Sequence, residues 1–210
     1  GYKDNEVLTI PRTGTYGGSS DITFRVNGID PAIPNSITIS AAQVDSFLLN
    51  PSAVADNFYS GINIFVTGVI ITAKANALAA LTTGVITASI SEGDMTTLAG
   101  LNETGNAFSI NITDNSVAAS ALNTLDSKTT ISVIATAVNT ITGTAAEINA
   151  VYTSNAAGTI VGLGNEAVTI SDTSLSAAVL LTLDAQTTGM VNAAAVTTIT
   201  GTFAEINAVY

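Results

Sequence analysis

The sequence predicts an α/β repeat fold: a right-handed β-α solenoid with one parallel sheet and short helices, preceded by an N-terminal pair of β-strands. Three observations lead there. TAAEINAVY at 144–152 returns as TFAEINAVY at 202–210, and the match runs back through Asp126 and Asp184 to Asp114 and Asp172. Aligning 116–152 with 174–210 leaves about two-thirds of positions identical at a spacing of roughly 58 residues, a period typical of stacked repeats. From residue 37 onward, short β-branched runs precede short Ala- and Leu-rich stretches, the pattern of strand then helix. Hydrophobic residues make up 47% of the chain but aromatics only 5%, so a core here needs many small, regular contacts.

Residues 1–36 stand apart. EVLTI (6–10) and DITFRV (21–26) alternate as half-buried strands do, and TGTYGGSS (13–20) between them is turn material. They predict a β-hairpin or a pair of cap or assembly strands. Pro31 and Pro34 then punctuate the chain.

The solenoid is expected over 37–210 in about seven coils, with a long repeat dividing near 110–167 and 168–210. Its strands are expected at 37–39, 69–72, 85–90, 109–112, 131–134, 168–170 and 191–196. Between them, 117–125 and 175–183 carry large apolar residues three and four apart, which buries one helix face. A strand, a helix and the next parallel strand imply a right-handed crossover.

The second helix of each long unit carries a start signal. Thr144 with Glu147, and Thr202 with Glu205, fit the capping box, in which the Thr oxygen accepts from the Glu amide while the Glu side chain reaches back to the Thr amide. Gly143 and Gly201 sit just before, where the chain turns. Ile148 and Val151, like Ile206 and Val209, then fall on one side. Helices of about two turns are marginal alone and need stacked neighbours. Tyr210 falls inside the repeated unit where a solenoid normally carries a polar cap, so self-association or continuation of the array is the expected partner.

Composition narrows the function classes. Five basic residues (Lys3, Arg12, Arg25, Lys74, Lys128) face sixteen acidic ones, a net charge of −11 that repels polyphosphate and argues against nucleic acid. The most apolar stretch, 62–90, is interrupted by Asn63, Lys74 and Asn76, so no membrane span is expected. Without Cys or His there are no disulfides, no thiolate nucleophile and no ordinary general base, which argues against an enzyme. The chain begins at Gly1 and not Met, and so reads as processed or partial. The acidic surface fits an extracellular or cell-surface location.

No catalytic or cofactor-binding residue emerges. Asp114 and Asp172 occupy equivalent positions after a strand, where a row of carboxylates would bind Ca²⁺ through hard oxygen ligands. Capping of helix N-termini is the favoured role, since the Gly-Gly-x-Gly-x-Asp pattern of calcium-binding β-rolls is absent. Asp126 and Asp184, in LDxxTT, are expected to close a helix and form an Asx-type turn into Thr129-Thr130 or Thr187-Thr188, because a carboxylate there opposes the helix dipole. Thr140, Thr142, Thr198 and Thr200 give Thr-x-Thr patterns of the kind that line ice-binding planes. They are expected at turns, in rows too short for that task. Gly14 to Gly18 lacks the Lys of a phosphate loop and reads as a turn. Tyr152 and Tyr210 are expected to wedge between coils or to meet a partner.

TGTAAEINAVY (142–152), GLGNEAVTISD (162–172) and LxTLDxxTTG (180–189) resemble tandem repeats of very large cyanobacterial surface or secreted proteins. TAAEIN (144–149) is similar to the TAAELN repeats of phage tail-fibre proteins. The resemblance covers about 110 to 210 and carries over no catalytic residue. It implies a structural repeat module of a bacterial extracellular or cell-surface fibre or adhesin, assembling end to end. A Ca²⁺- or glycan-binding surface module and a phage tail-fibre component are the alternatives.

Overall fold

The computed structural model describes residues 36–49 and 61–209 in full, and 7–10 and 22–25 as backbone. Strands β1 (Val7–Ile10) and β2 (Ile22–Arg25) pair antiparallel, with Val7 opposite Arg25. The expected turn at 13–20, Pro31, Pro34 and Tyr210 lie outside the described residues.

The rest is an α/β fold of parallel sheets and short helices. In chain order it runs β3 (Ser36–Ser40), α1 (Val44–Leu48), β4 (Asn63–Ile70), α2 (Thr72–Ala79), β5 (Ile86–Ile90), α3 (Met95–Leu98) and β6 (Ala107–Asn111). Then come β7 (Ser116–Ala118), α4 (Ala119–Asp126), β8 (Val133–Ile134), β9 (Thr140–Gly143), α5 (Ala145–Ala157), β10 (Ile160–Val161) and β11 (Ala167–Ile170). The last elements are β12 (Ser174–Ser176), α6 (Ala177–Gln186), β13 (Val191–Asn192), β14 (Thr198–Thr200) and α7 (Phe203–Val209).

The single sheet expected from sequence is three. A six-stranded sheet has the order β10-β8-β6-β5-β4-β3, a four-stranded sheet β13-β11-β9-β7, and a two-stranded sheet β12-β14. The physical reason is a bend inside each pass of the chain. Asp114 and Asn115 separate β6 from β7, and each piece pairs with its own neighbours. Thr140 and Thr142 therefore lie on a strand, as do Thr198 and Thr200, and not at turns. The strand expected at 69–72 instead ends β4 and begins α2, since Thr72 is the first helical residue.

Side-chain alternation places one apolar residue of each strand inward, and registry stacks these into columns. Ile110 faces Val133, which faces Ile160. Val117, Ile141, Val168 and Val191 form a second column. Strands return to parallel registry after about 20 to about 27 residues, enough for one strand and one short helix. The helices bring Leu78, Leu98, Leu122, Leu125, Ile148 and Val151 against the columns, making one continuous core.

Pairing also reveals a lateral step. Strand β11 is the sequence counterpart of β6, about 58 residues on, yet it pairs with β9 and joins the second sheet. Its follower β12, the counterpart of β7, starts the third sheet with β14. From the first long repeat to the second, the strand rows thus move over by one.

Candidate functional site

The expected site residues fall where one pass of the chain meets the next. Asp114 follows β6, and its Oδ2 accepts from the Met95 amide, the first of α3, at 2.7 Å. Asp172 follows β11, and its Oδ2 accepts from the Ala145 amide, the first of α5, at 2.7 Å. Both carboxylates cap a helix from the preceding pass, where sequence order would suggest the helix that follows. Glu92 does the same after β5, taking the Thr72 amide on Oε1 at 3.1 Å and Oε2 at 3.2 Å. A helix N-terminus presents unpaired donors and partial positive charge, so each carboxylate satisfies a donor and ties two passes together. Asp94 caps α3 locally, its Oδ1 accepting from the Thr97 amide at 2.8 Å, and that bond holds its carboxyl below the usual carboxylate value.

Threonine pairs tie the opposite ends of the passes. The Oγ1 of Thr82 donates to the Ile62 carbonyl at 2.6 Å, Thr129 to Phe108 at 2.8 Å, and Thr187 to Glu166 at 2.7 Å. Each hydroxyl also accepts an amide two residues on, from Gly84, Ile131 or Gly189. Chain passes approach closely here. A Cβ on Gly84 would meet the Ile62 carbonyl oxygen at 2.4 Å, and one on Gly189 the Glu166 carbonyl oxygen at 2.2 Å.

Asp126 does not form the expected Asx-type turn. It is the last residue of α4, and its Oδ2 accepts from Ser154 Oγ at 2.9 Å and Thr159 Oγ1 at 3.0 Å, both in the next pass. Two hydroxyl donors offset the unfavourable placement of a carboxylate at a helix C-terminus. Asp184 lies within α6, not at its end, and is exposed.

The capping boxes are in place. Thr144 N and Oγ1 each donate to Glu147 Oε2 at 2.9 Å, and the Glu147 amide returns to Thr144 Oγ1 at 3.3 Å. Thr202 and Glu205 repeat the pattern at 2.7, 2.9 and 3.3 Å.

Tyr152 wedges into the core and its hydroxyl donates to Glu166 Oε2 at 3.2 Å. Burial pushes the phenol up to about 12, with the Glu166 charge adding to the shift and the Thr187 hydroxyl opposing it. Glu166 is fully buried and also accepts the Gly164 amide on both oxygens, at 2.9 and 2.8 Å. Sequence reading missed Glu92, Asp94 and Glu166. For Glu166 a signal existed in GLGNEA, where a Gly two residues earlier lets the backbone fold onto the carboxylate.

Chemically, this arrangement is a set of ties. The structure does not gather Asp114, Asp126, Asp172 and Asp184 into one place, and among the described residues no three His, Cys, Asp or Glu side chains converge as a metal site requires. An open apolar groove of about 290 Å³ lies between α3 and α4, lined by Met95, Leu98, Leu101, Ala121, Leu125 and Lys128. No helix among the described residues is long and apolar enough to cross a membrane. No protein-family model, curated protein or solved structure matches this chain.

Proposed function

We propose that the chain is a structural repeat module of a bacterial extracellular or cell-surface fibre or adhesin, its passes stacking as a right-handed β-α solenoid. One observation carries this reading: the polar side chains that a catalytic reading would need are used to join successive passes. Asp114, Asp172 and Glu92 cap helices across passes, and Thr82, Thr129 and Thr187 hold carbonyls of the preceding pass. A unit that contacts only its neighbours extends by repetition, and its stability grows with the number of interfaces. The lateral step of one strand row per repeat would wind such an array slowly about its axis. The absence of Cys and His suits a load-bearing, chemically inert element.

Immunogold electron microscopy on producing cells tests the proposal. Label on linear, periodic material outside the envelope is expected. Label confined to the cell interior would overturn it.

A further inference from the structure

We infer that the face made by β13, β14 and α7 is a docking surface for one further repeat unit, a segment built like residues 153–183, which caps the Phe203 amide with a carboxylate and meets Asp184 with hydroxyl donors. This rests on the stacking-module reading and names its partner.

The molecule contains the same face twice. Its first version, β8, β9 and the first two turns of α5 (145–151), is covered. Ile141, Ala145, Ile148 and Val151 are at most 2% exposed, because β9 has β7 on one side and β11 on the other. Four polar contacts of the covering segment matter here. The Ser171 amide donates to the Gly143 carbonyl at 2.9 Å, Asp172 accepts the Ala145 amide, and Ser154 and Thr159 donate to Asp126.

The second version repeats the turn glycine and the capping box, and carries Asp184 where the first has Asp126, two residues short of its helix end. Gly201 has φ of 152° against 151° at Gly143, and the two capping boxes match. Among the described residues β14 pairs only with β12, leaving its other edge unpaired. Phe203 is 88% exposed, and Ile199, Ile206 and Val209 are only half buried. Asp184, the counterpart of Asp126, stands on an open groove of about 190 Å³ lined by Leu180, Leu181, Val191 and Val209. An unpaired strand edge beside an apolar helix face invites another strand.

The required chemistry selects the occupant. A covering strand must be followed within a few residues by a carboxylate to reach the Phe203 amide. The edge strand at the far end of the six-stranded sheet, β3, is followed by Ala41, Ala42 and Gln43, whose Oε1 already accepts from Ser40, and the next carboxylate, Asp45, is paired with Lys74, so docking a second chain through that edge supplies no free carboxylate for the amide. A unit of the 153–183 kind supplies strand, carboxylate and hydroxyls together.

The test appends a second copy of residues 153–187 directly after Tyr210 and follows amide hydrogen exchange. Exchange over 198–209 is expected to slow by about ten-fold or more. Asp172→Ala in the appended copy alone is expected to restore fast exchange at Phe203 while Ile199 stays protected. Unchanged exchange over 198–209 would overturn the inference. So would a parent chain whose 198–209 amides are already protected through concentration-dependent dimers, because the occupant would then be a whole second chain. In the parent chain Asp172→Ala must accelerate exchange at Ala145 and spare Phe203, and no effect at Ala145 would sink the carboxylate cap independently of how the appended segment folds. Label confined to the cell interior would end the surface reading and leave these exchange results standing.

Discussion

The two long repeats share a sequence and differ in what covers them. In the first, Ile141, Ile148 and Val151 are fully buried, whereas Ile199, Ile206 and Val209 in the second are only partly so. Local geometry does not register the difference: Gly143 and Gly201 share a backbone conformation, and both helices begin in the same capping box. Element formation here is therefore local, and burial comes from the neighbouring pass. A repeat protein should then lose stability according to the cover over a residue, not its identity.

Matched substitutions test that directly. Ile148→Ala is expected to cost about 3 kcal/mol, the usual range for emptying a packed core site, and Ile206→Ala about 1 kcal/mol or less. Denaturant unfolding of both variants checks it, and equal losses would remove the distinction between the repeats.

The next effect inverts the comparison, because here the second repeat is the tighter one. Gly189 corresponds to Ile131, which is 42% exposed, yet a Cβ on Gly189 would meet backbone atoms of Glu166 at 2.2 and 2.4 Å. Gly189→Ala is expected to cost about 2 kcal/mol through forced backbone movement, and Ile131→Ala under about 0.5 kcal/mol. Thermal unfolding of the pair separates them. A neutral Gly189→Ala would mean that the passes are not in close contact there.

What was legible in the sequence follows from range. The capping boxes at Thr144 and Thr202 were readable because donor and acceptor sit three residues apart, and the buried faces at Ile148 and Val151 because helical spacing is local. The bonds from Asp114 to Met95 and from Asp172 to Ala145 span 19 and 27 residues, so nothing near each Asp names its partner. Asp126 was misread for the same reason: its donors, Ser154 and Thr159, lie 28 and 33 residues away. The bend that splits each pass into two strands was hidden because Ser116–Ala118 and Ser174–Ser176 run straight into helices with no breaker between. The alternation of β-branched and Ala- and Leu-rich runs carried the α/β class with parallel strands and short helices, but the pairing of β11 with β9 instead of with a strand of the first sheet depends on the three-dimensional path.

A smaller effect concerns the covered repeat alone. Burial lifts the Tyr152 phenol from 10.0 to about 12, so the folded state favours the protonated form. A group whose folded value lies above its unfolded value contributes stability fully below the unfolded value and loses it as pH rises toward the folded one. Unfolding midpoints should therefore fall between pH 10 and about pH 12, and Tyr152→Phe should flatten that decline. The same variant is expected to cost about 1 kcal/mol at neutral pH, the worth of its hydrogen bond to Glu166. An unchanged alkaline slope in the variant would show that Tyr152 is not the group responsible.

The smallest effect compares the two caps. Thr144→Ala is expected to cost about 1 kcal/mol, because α5 is held in the core and cannot fray without exposing it. Thr202→Ala should change global stability by under about 0.5 kcal/mol, since α7 can loosen alone, but it should lower the helicity of 203–209 in backbone chemical shifts. Acid offers a second way to reach the same cap. The Thr202 amide and hydroxyl hold the Glu205 carboxyl below the usual carboxylate value, so its contribution is present above that usual value and lost as pH falls through the lowered one. Helix α7 should therefore loosen as pH falls through that lowered value. Glu205→Gln should abolish that acid step while leaving the helix in place at neutral pH, because an amide oxygen can still accept from the Thr202 amide. An acid transition in α7 that persists in Glu205→Gln would assign it to packing between passes, and the equivalence of the two caps would then fail where it is simplest to measure.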